Sequence, residues 1–472
     1  MHFGLEPYVG IVLYISAIAA FFLTIFWKPV FGIYYLIPLI PLQTIRYRLN
    51  TFPLGASVIG IMLLAVALGL KRQRRPLLPK SPWTKLLCIY ILFTFLSLWY
   101  GAFYLKSPLP LPGDVRFATW QEYIVLPVML LLVAALEPNS RQIRTLVVLM
   151  CLATLALDHN FWNAVSDRSF TTYADDLREG SSMGYAGSNG LAAFEAQAVA
   201  LLLALAAFER RVWLRMGYYA LIVFSVVCLV YSLSRGGYAA LLVGLLFMGL
   251  VKQRKILLVL ILLACIWTSI LPPAVQQRIS MSYNQETGEV DNSAETRLAL
   301  WKDAMDLFHS SPVWGTGYDT YAYMHRAKRT DGWSGYYADT HNIYLKVLVE
   351  TGVIGLVLFL WLLVTTFFAG YRLFRHAKNE YFASLGLGLA GWVVCAAVAS
   401  TFGDRWTYPQ INGFMWILGG VVAQAWRLEK HSPSEAMSPT ASEAMEEFML
   451  APAAPQPTGI TEVAASSLRA TT

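Results

Sequence analysis

Charge is scarce in this sequence. Lysine and arginine number 36, aspartate and glutamate 29, and together they make 14% of the 472 residues, against roughly 25% in an ordinary soluble domain. Hydrophobic residues reach 57% and the mean hydropathy is +0.51. A soluble protein of this size needs far more polar surface to cover its core. A soluble enzyme, a disordered chain and a disulfide scaffold are therefore excluded. Cysteine is also sparse. Cys88, Cys151, Cys228, Cys265 and Cys395 each lie inside an apolar run, with no Cys-x-x-Cys spacing and no histidine cluster nearby; they read as thiols of the lipid phase. The first residues lack the basic stretch of a cleavable signal peptide, and no small-residue cleavage site follows the first apolar run. The short alternating segments of a transmembrane β-barrel are missing too. The net charge of +7 calls for no nucleic acid, because basic loops on the cytoplasmic side of a membrane protein produce it.

What is present is a series of long apolar runs, near 8–27, 29–42, 54–70, 86–105, 120–136, 143–157, 189–208, 215–233, 236–251, 256–271, 342–369, 383–400 and 410–427. At roughly 20 residues per span, these predict an all-α, polytopic membrane helix bundle of about 12 transmembrane helices. The first two runs are parted only by Lys28 and Pro29, and the second is short enough to be a bent or re-entrant piece. Short basic loops set the orientation: Lys71–Arg75 with Lys80 and Lys85, Arg210-Arg211 with Arg215, Lys252 with Arg254 and Lys255, Arg372 with Arg375 and Lys378, and Arg427 with Lys430. Counting spans between them places all five on one side, which the positive-inside bias makes cytoplasmic. The opposite side then holds 43–53, 106–119, 158–188, a turn near 232–236, the long segment 272–341, and 401–409. The expected organisation is a membrane domain over 1–430, with 272–341 as its one large outer loop, and a tail over 431–472. The tail repeats Ser-Glu-Ala-Met and is otherwise rich in Ala, Pro, Ser and Thr, so it reads as disordered.

Segment 272–341 has internal order. Asn292-Ser293-Ala294-Glu295 is a helix start, with a capping side chain and Glu three residues on. Leu298, Trp301, Met305 and Phe308 follow at helical spacing, so an amphipathic helix lying on the membrane or the bundle is expected. Arg297, Lys302 and Asp306 fall elsewhere on it, and Ser310-Ser311-Pro312 ends it. Gly315-Thr316-Gly317 makes a turn, and an aromatic stretch runs on through Tyr318, Tyr321, Tyr323, Trp333, Tyr336 and Tyr337 to Asp339-Thr340-His341-Asn342. His341 stands at the outer mouth of a span, two residues after an aspartate; a histidine there suits general-base work, since its pKa lies near neutral. Ser232-Leu233-Ser234-Arg235-Gly236-Gly237 interrupts what would otherwise be one apolar stretch from 216 to 251. An arginine at the end of two spans costs several kcal/mol if buried unpaired, so it should meet an anion, and the small residues around it allow close approach. Topology alone puts Arg235, Arg297, His341 and Asn189 on one face. Arg46, Arg48, Arg116 and the His325–Arg329 cluster also lie outside, against the positive-inside bias, and can serve as phosphate holders or as a solvated basic rim. Asp175-Asp176 without a third ligand is a weak metal signal.

These residues resemble a known family. The pattern Asn292-Ser293, Arg297, Trp301, Pro312-Val313-Trp314-Gly315-Thr316-Gly317, His341-Asn342-Ile343-Tyr344-Leu345 and Glu350-Thr351-Gly352-Val353-Ile354-Gly355, with Ser234-Arg235-Gly236 before a Leu/Ala-rich helix, is similar to the O-antigen ligase and O-antigen polymerase superfamily of the bacterial inner membrane. Gly187-Ser188-Asn189 fits more weakly. The shared motifs cover roughly 185–400. The resemblance implies a metal-independent, inverting glycosyltransferase that consumes a glycan carried on undecaprenyl diphosphate, with its active site facing the periplasm and both termini cytoplasmic. It implies His341 as the catalytic group and Arg235 and Arg297 as holders of the donor diphosphate, with no cofactor and no metal. Asn189, Asp339, Asn342, Arg46 and Arg116 are possible supporting residues. The acceptor is a hydroxyl of a glycolipid, in ligases a lipid A core sugar, or of a growing polysaccharide. The chemistry of the residues agrees. A diphosphate leaving group needs positive charge more than acid assistance, and arginine supplies fixed bidentate phosphate contacts.

Two other classes of function compete. A metal-dependent oligosaccharyltransferase would want acidic residues in its first outer loop, and 43–53 has none. A transporter would carry charge near midspan and often two related halves; Glu195 is the main midspan charge, and no internal repeat is visible. Within the superfamily, ligation of glycan to lipid A core is preferred over repeat-unit polymerisation of O-antigen or exopolysaccharide, and protein O-oligosaccharyl transfer remains open.

Overall fold

In lipid, a helix satisfies its own backbone hydrogen bonds within one segment, which is why apolar runs of this length become helices. The computed structural model describes residues 8–281, 292–328 and 339–431. Each of the thirteen apolar runs forms a helix there, and among the described residues no strand occurs. The helices are α1 (Val9–Phe26), α2 (Val30–Leu39), α3 (Gln43–Tyr47), α4 (Val58–Arg72), α5 (Pro82–Tyr104), α6 (Val115–Ala135), α7 (Ser140–Val165), α8 (Gly187–Phe208), α9 (Val212–Tyr231), α10 (Arg235–Val251), α11 (Lys255–Ile270), α12 (Pro273–Ser280), α13 (Asn292–Ser310), α14 (Tyr321–Lys328), α15 (Ile343–His376), α16 (Glu380–Ala399) and α17 (Pro409–His431). Among the described residues nine helices are long and apolar enough to cross a membrane, or ten if α11 and α12, bent by 113°, count as one broken span. Helices α2 and α10 are apolar but shorter. At 1.5 Å per residue α2 reaches only about 15 Å, half the hydrocarbon thickness.

Residues Met1–Glu429 form one compact unit. Its centre is α8 and α16, whose apolar windows are 89% and 83% buried, whereas only 17% of α9 is buried, and no residue of α11 is. Small side chains make that centre possible. A Cβ on Gly237 of α10 would stand 2.3 Å from the Ala192 Cβ of α8, so only glycine permits this approach. A stack of large aromatics fills the core between α8, α15, α16 and α17, with Trp392 against Phe194 and Trp406 against Phe359 and Trp416.

The basic loops meet one another, as the charge bias requires. Arg75 donates to the Leu136 carbonyl, Arg427 to Glu137 and to the Lys80 carbonyl, and Arg210 pairs with Glu380. The C-terminal tail, Trp333, Tyr336, Tyr337 and Arg329 lie outside the described residues, as do the side chains of 292–294 and 325–328, and with them the capping signal of α13.

The loop helix α13 forms over the expected residues but turns a different face inward. Ala304 and Leu307 are buried against Tyr321 and Val349, with Phe308 packed beside them, and the carbonyl of buried Leu300 accepts from the Tyr321 hydroxyl at 3.1 Å, while Leu298 is 56% exposed. The expected stripe of Leu298, Trp301, Met305 and Phe308 is therefore corrected by one side of the helix. The cause is a polar anchor: Trp301 Nε1 donates to the Thr340 carbonyl at 3.1 Å, which fixes the rotation of the helix about its axis. It also brings Arg297 to an interior position instead of the outer surface.

The Gly315–Gly317 turn docks on a break in α15. Gly352 there takes φ +65 and interrupts the helix. The Val349 and Glu350 carbonyls then accept from Thr316 N at 2.9 Å and Gly317 N at 2.7 Å, and Val353 N donates to the Pro312 carbonyl at 2.9 Å. The Glu350 carboxylate, 3% exposed, accepts from Asp319 N and Tyr321 N at the start of α14. The Pro-Val-Trp-Gly-Thr-Gly and Glu-Thr-Gly motifs are thus two halves of one joint.

Candidate active site

One cleft gathers side chains from five separate stretches of chain. Arg178, Asn189, Ser234, Arg235, Arg278, Arg297 and Arg405 line it, with Gly236, Gly237, Ala193, Ala399 and Phe402. Among these described lining residues there are five guanidinium groups and no carboxylate. Each arrives by a different local device. Ser234 caps α10, accepting from Gly237 N, so Arg235 is the first residue of that helix and the cleft opens on its positive end. Asn189, in the first turn of α8, accepts from Ser234 Oγ at 2.7 Å and from Arg178 Nη2 at 3.1 Å. That contact joins α8, α10 and the loop before α8. The loop is itself pinned by Arg168 to Glu179 at 2.8 Å and by Tyr173 N to Gln277 of α12 at 2.8 Å. Arg278 of α12 lies over the Tyr173 ring, 4.9 Å from its centroid. Arg297 comes from α13.

Arg405 comes from the turn between α16 and α17, and Asp404 builds that turn. Its carboxylate, 1% exposed, accepts from Trp406 N, Thr407 N and Thr407 Oγ1, and pairs with Lys346 of α15 at 3.3 Å. Asp404 N donates in turn to Asp339 Oδ2 at 3.1 Å. The two aspartates thus tie the α16–α17 turn to the mouth of α15.

His341 stands at that mouth, beside the cleft rather than among its lining residues. Its backbone is held at φ +52, an uncommon conformation for a residue with a Cβ. The neighbours enforce it: Thr340 Oγ1 donates to the Asn342 carbonyl at 2.6 Å, the Thr340 carbonyl accepts from Trp301, and Asn342 caps α15 by accepting from Tyr344 N and Leu345 N. His341 Nδ1 lies 3.8 Å from Asp339 Oδ2. Burial, together with the positive charges of Arg297 and Arg405, holds the imidazole below its usual 6.5 against the pull of Asp339. A neutral imidazole able to take a proton results. Burial also lowers Arg297, and Arg235, Arg405, Arg178 and Arg278 lower it further by repulsion; a guanidinium stays charged regardless. The five cations are thus close enough to feel one another.

Of the residues singled out in the sequence, the structure brings Arg235, Arg297 and Asn189 into this cleft and sets His341, Asp339 and Asn342 at its edge. It does not bring Arg46 or Arg116 among the lining residues. Arg46 is 7% exposed and donates to the Leu39 and Ile40 carbonyls. Arg116 is 5% exposed and is engaged by Asp114, Ser107 Oγ and the Pro108 carbonyl. Both hold their own loops. Asp175 faces Arg178 at 3.9 Å, and among the described residues no three His, Cys, Asp or Glu side chains gather as metal ligands. Glu195 is fully buried beside Asp158, which accepts from Ser225 Oγ at 2.8 Å. Sequence reasoning missed Arg178, Arg278 and Arg405. Their signal was the one that singled out Arg46 and Arg116, an arginine in an outer connection.

Comparison with known proteins places the chain in context. Residues 220–360 match the family described as O-antigen ligase. Arg235, Arg278, Arg297 and His341 fall inside that stretch; Arg178, Asn189 and Arg405 fall outside it. The chain is also similar to the exopolysaccharide production protein ExoQ of Rhizobium meliloti (strain 1021), 32% identical over 84 residues, a stretch that spans 16% of this chain and 19% of that relative. The resemblance to the O-antigen ligase and polymerase superfamily seen in the motifs is shown for this segment.

Proposed function

We propose that this chain is an inner-membrane glycosyltransferase that moves a glycan from undecaprenyl diphosphate to an acceptor hydroxyl on the periplasmic face. The observation that carries the reading is the convergence of five guanidinium groups from five stretches of chain on one cleft, at the N-terminus of α10 and beside a neutral, half-buried histidine. The arginines and the helix end hold the diphosphate and stabilise the charge that grows on it as the glycosidic bond breaks. His341 takes the proton of the acceptor hydroxyl. The acceptor oxygen attacks the anomeric carbon, the bond from that carbon to the diphosphate oxygen breaks, and the electron pair leaves with the lipid diphosphate. One displacement inverts the anomeric centre. The positive charge at the leaving group comes from arginine, so no metal is required. Asp339, Asn342 and Trp301 fix where the histidine stands.

The acceptor we take to be a lipid A core sugar, in keeping with the family description of the matched segment. The similarity to an exopolysaccharide production protein favours a second reading, in which the acceptor is a hydroxyl of the growing polysaccharide. Purified protein given undecaprenyl-diphosphate-linked glycan in EDTA tests both. Transfer to lipid A core supports the first reading and chain extension in its absence the second. Activity that vanishes in EDTA and returns with Mg²⁺ or Mn²⁺ sinks the arginine mechanism.

A further inference from the structure

A second cavity lies at the far ends of the two central helices. Asn189 of α8 and Ala399 of α16 border the arginine cleft, while Leu205 and Phe208 of α8 and Tyr381 of α16 border this one. Nineteen residues of α8 separate Asn189 from Phe208, about 29 Å of helix, close to the thickness of the hydrocarbon core. The second cavity measures about 420 Å³, within the usual range for a small ligand. It lies among the short basic connections that the charge bias assigns to the cytoplasm.

Its charges are not balanced. Glu380 is taken by Arg210, in a bidentate pair at 2.8 and 2.6 Å. Glu209 accepts from the backbone N–H of Arg211 at 2.9 Å. Arg144 leans over the Tyr381 ring, 4.8 Å from its centroid. Arg211 and Lys378 border the cavity as well, and neither side chain has a carboxylate partner among the described residues. Three cations therefore face one space, above an aromatic floor: Arg144 from the start of α7, and Arg211 and Lys378 from the connections before α9 and α16. The flank is the reverse. Val212, Trp213, Leu214 and Met216 at the start of α9 are 53%, 84%, 47% and 56% exposed, and they continue into the helix face that the bundle leaves bare. A tryptophan at this level is the usual mark of a membrane–water interface.

Cations over an aromatic floor, bordered on one side by bare apolar helix, match one kind of molecule: a phosphate head joined to hydrocarbon chains. We propose that this cavity binds the headgroup of an anionic phospholipid of the cytoplasmic leaflet, with Arg144, Arg211 and Lys378 around the phosphate and the acyl chains along α9. The site is independent of the glycan-transfer reading.

The test is native mass spectrometry of the delipidated full-length protein titrated with phosphatidylglycerol, phosphatidylcholine or inorganic phosphate. The wild type should take a first phosphatidylglycerol at least tenfold more tightly than phosphatidylcholine. The triple variant Arg144→Gln, Arg211→Gln, Lys378→Gln should lose that preference while keeping its far-ultraviolet circular dichroism, since all three side chains are exposed. The arginine cleft also attracts phosphate, so an Arg235→Gln, Arg297→Gln variant serves as the control and should keep the preference. Equal binding by wild type and triple variant overturns the proposal. So does loss of the preference in the cleft variant alone, or complete displacement of the lipid by millimolar inorganic phosphate.

Discussion

Replacing Gly352 with alanine would drive a methyl group to 2.1 Å from the Val313 carbonyl oxygen and 2.7 Å from Gly315 N. Those atoms are backbone and cannot swing aside, so the turn must lift from α15 or α15 must straighten. The backbone at φ +65, ψ −170 lies in a region that essentially only glycine adopts and costs alanine about 1–3 kcal/mol by itself. Lifting the turn breaks the bonds from Thr316 N, Gly317 N and Val353 N, each contributing about 0.5–1.5 kcal/mol. Together the joint weakens by roughly 3–7 kcal/mol. The docked fraction then falls on the order of 10²–10⁵-fold, since each 1.4 kcal/mol is a factor of ten. None of the three lost bonds ties α15 to another apolar helix, so the protein should still insert and accumulate. The assay pairs limited trypsin digestion of the 272–341 segment with glycan transfer by the purified protein. Cleavage should speed up and transfer should fall, because the same joint sets where Arg297 stands. Gly217→Ala in α9, where nothing lies within 4 Å of the added carbon, should change neither. A Gly352→Ala protein indistinguishable from wild type in both readouts refutes the reasoning.

His341→Ala should lower transfer on the order of 10²–10⁴-fold with normal accumulation by immunoblot; near-normal transfer would reduce the histidine to a structural role. Because burial and two arginines hold His341 below 6.5, the neutral form prevails at and above neutral pH. Transfer should therefore be flat there and decline as pH falls through a midpoint below 6.5; a midpoint above 6.5 in the pH–rate profile contradicts the assignment. Arg235→Lys, Arg297→Lys and Arg405→Lys should each impair transfer despite keeping the charge, since lysine lacks the bidentate fork. Kinetics with a lipid-diphosphate donor check this, and full activity in all three would dissolve the clamp. Arg116→Ala should reduce thermal stability, because Asp114, Ser107 and Pro108 lose their shared partner; a melting point unchanged within about 1 °C would count against that scaffold role.

Much of this arrangement was written locally in the chain. Apolar runs fix helices because lipid leaves the backbone no other partner. Arg235 and Arg297 were legible because each sits in a recognisable setting, one after a capping serine between two spans, the other on a loop helix. Arg405 was not. What distinguishes it is Asp404, Asp339 and Lys346 folding its turn, three residues spread over 339–404 whose meeting no local pattern announces. Arg46 and Arg116 show the converse. Both satisfied the same outer-arginine criterion, yet nearby carbonyls and Asp114 satisfy their donors within a few residues. The inward face of α13 was illegible for a similar reason. Its sequence supports two overlapping apolar stripes, and the choice falls to a single hydrogen bond from Trp301 to a carbonyl 39 residues away.

The five-arginine cleft has a kinetic consequence. On the proposed function its attraction is directed at phosphate, and phosphate is present on the carrier lipid both before and after the sugar has gone. On the proposed reading, the spent carrier keeps every contact that the loaded one made to the guanidinium groups, and loses only those made to the glycan. Departure of the empty lipid then becomes the slow event of each cycle, as product release is in many well-evolved enzymes. The rate seen in a membrane would follow how quickly the discharged carrier is withdrawn. Glycan-free undecaprenyl diphosphate should accordingly inhibit in competition with the donor, and an inhibitor pattern unaffected by donor concentration would exclude this bottleneck.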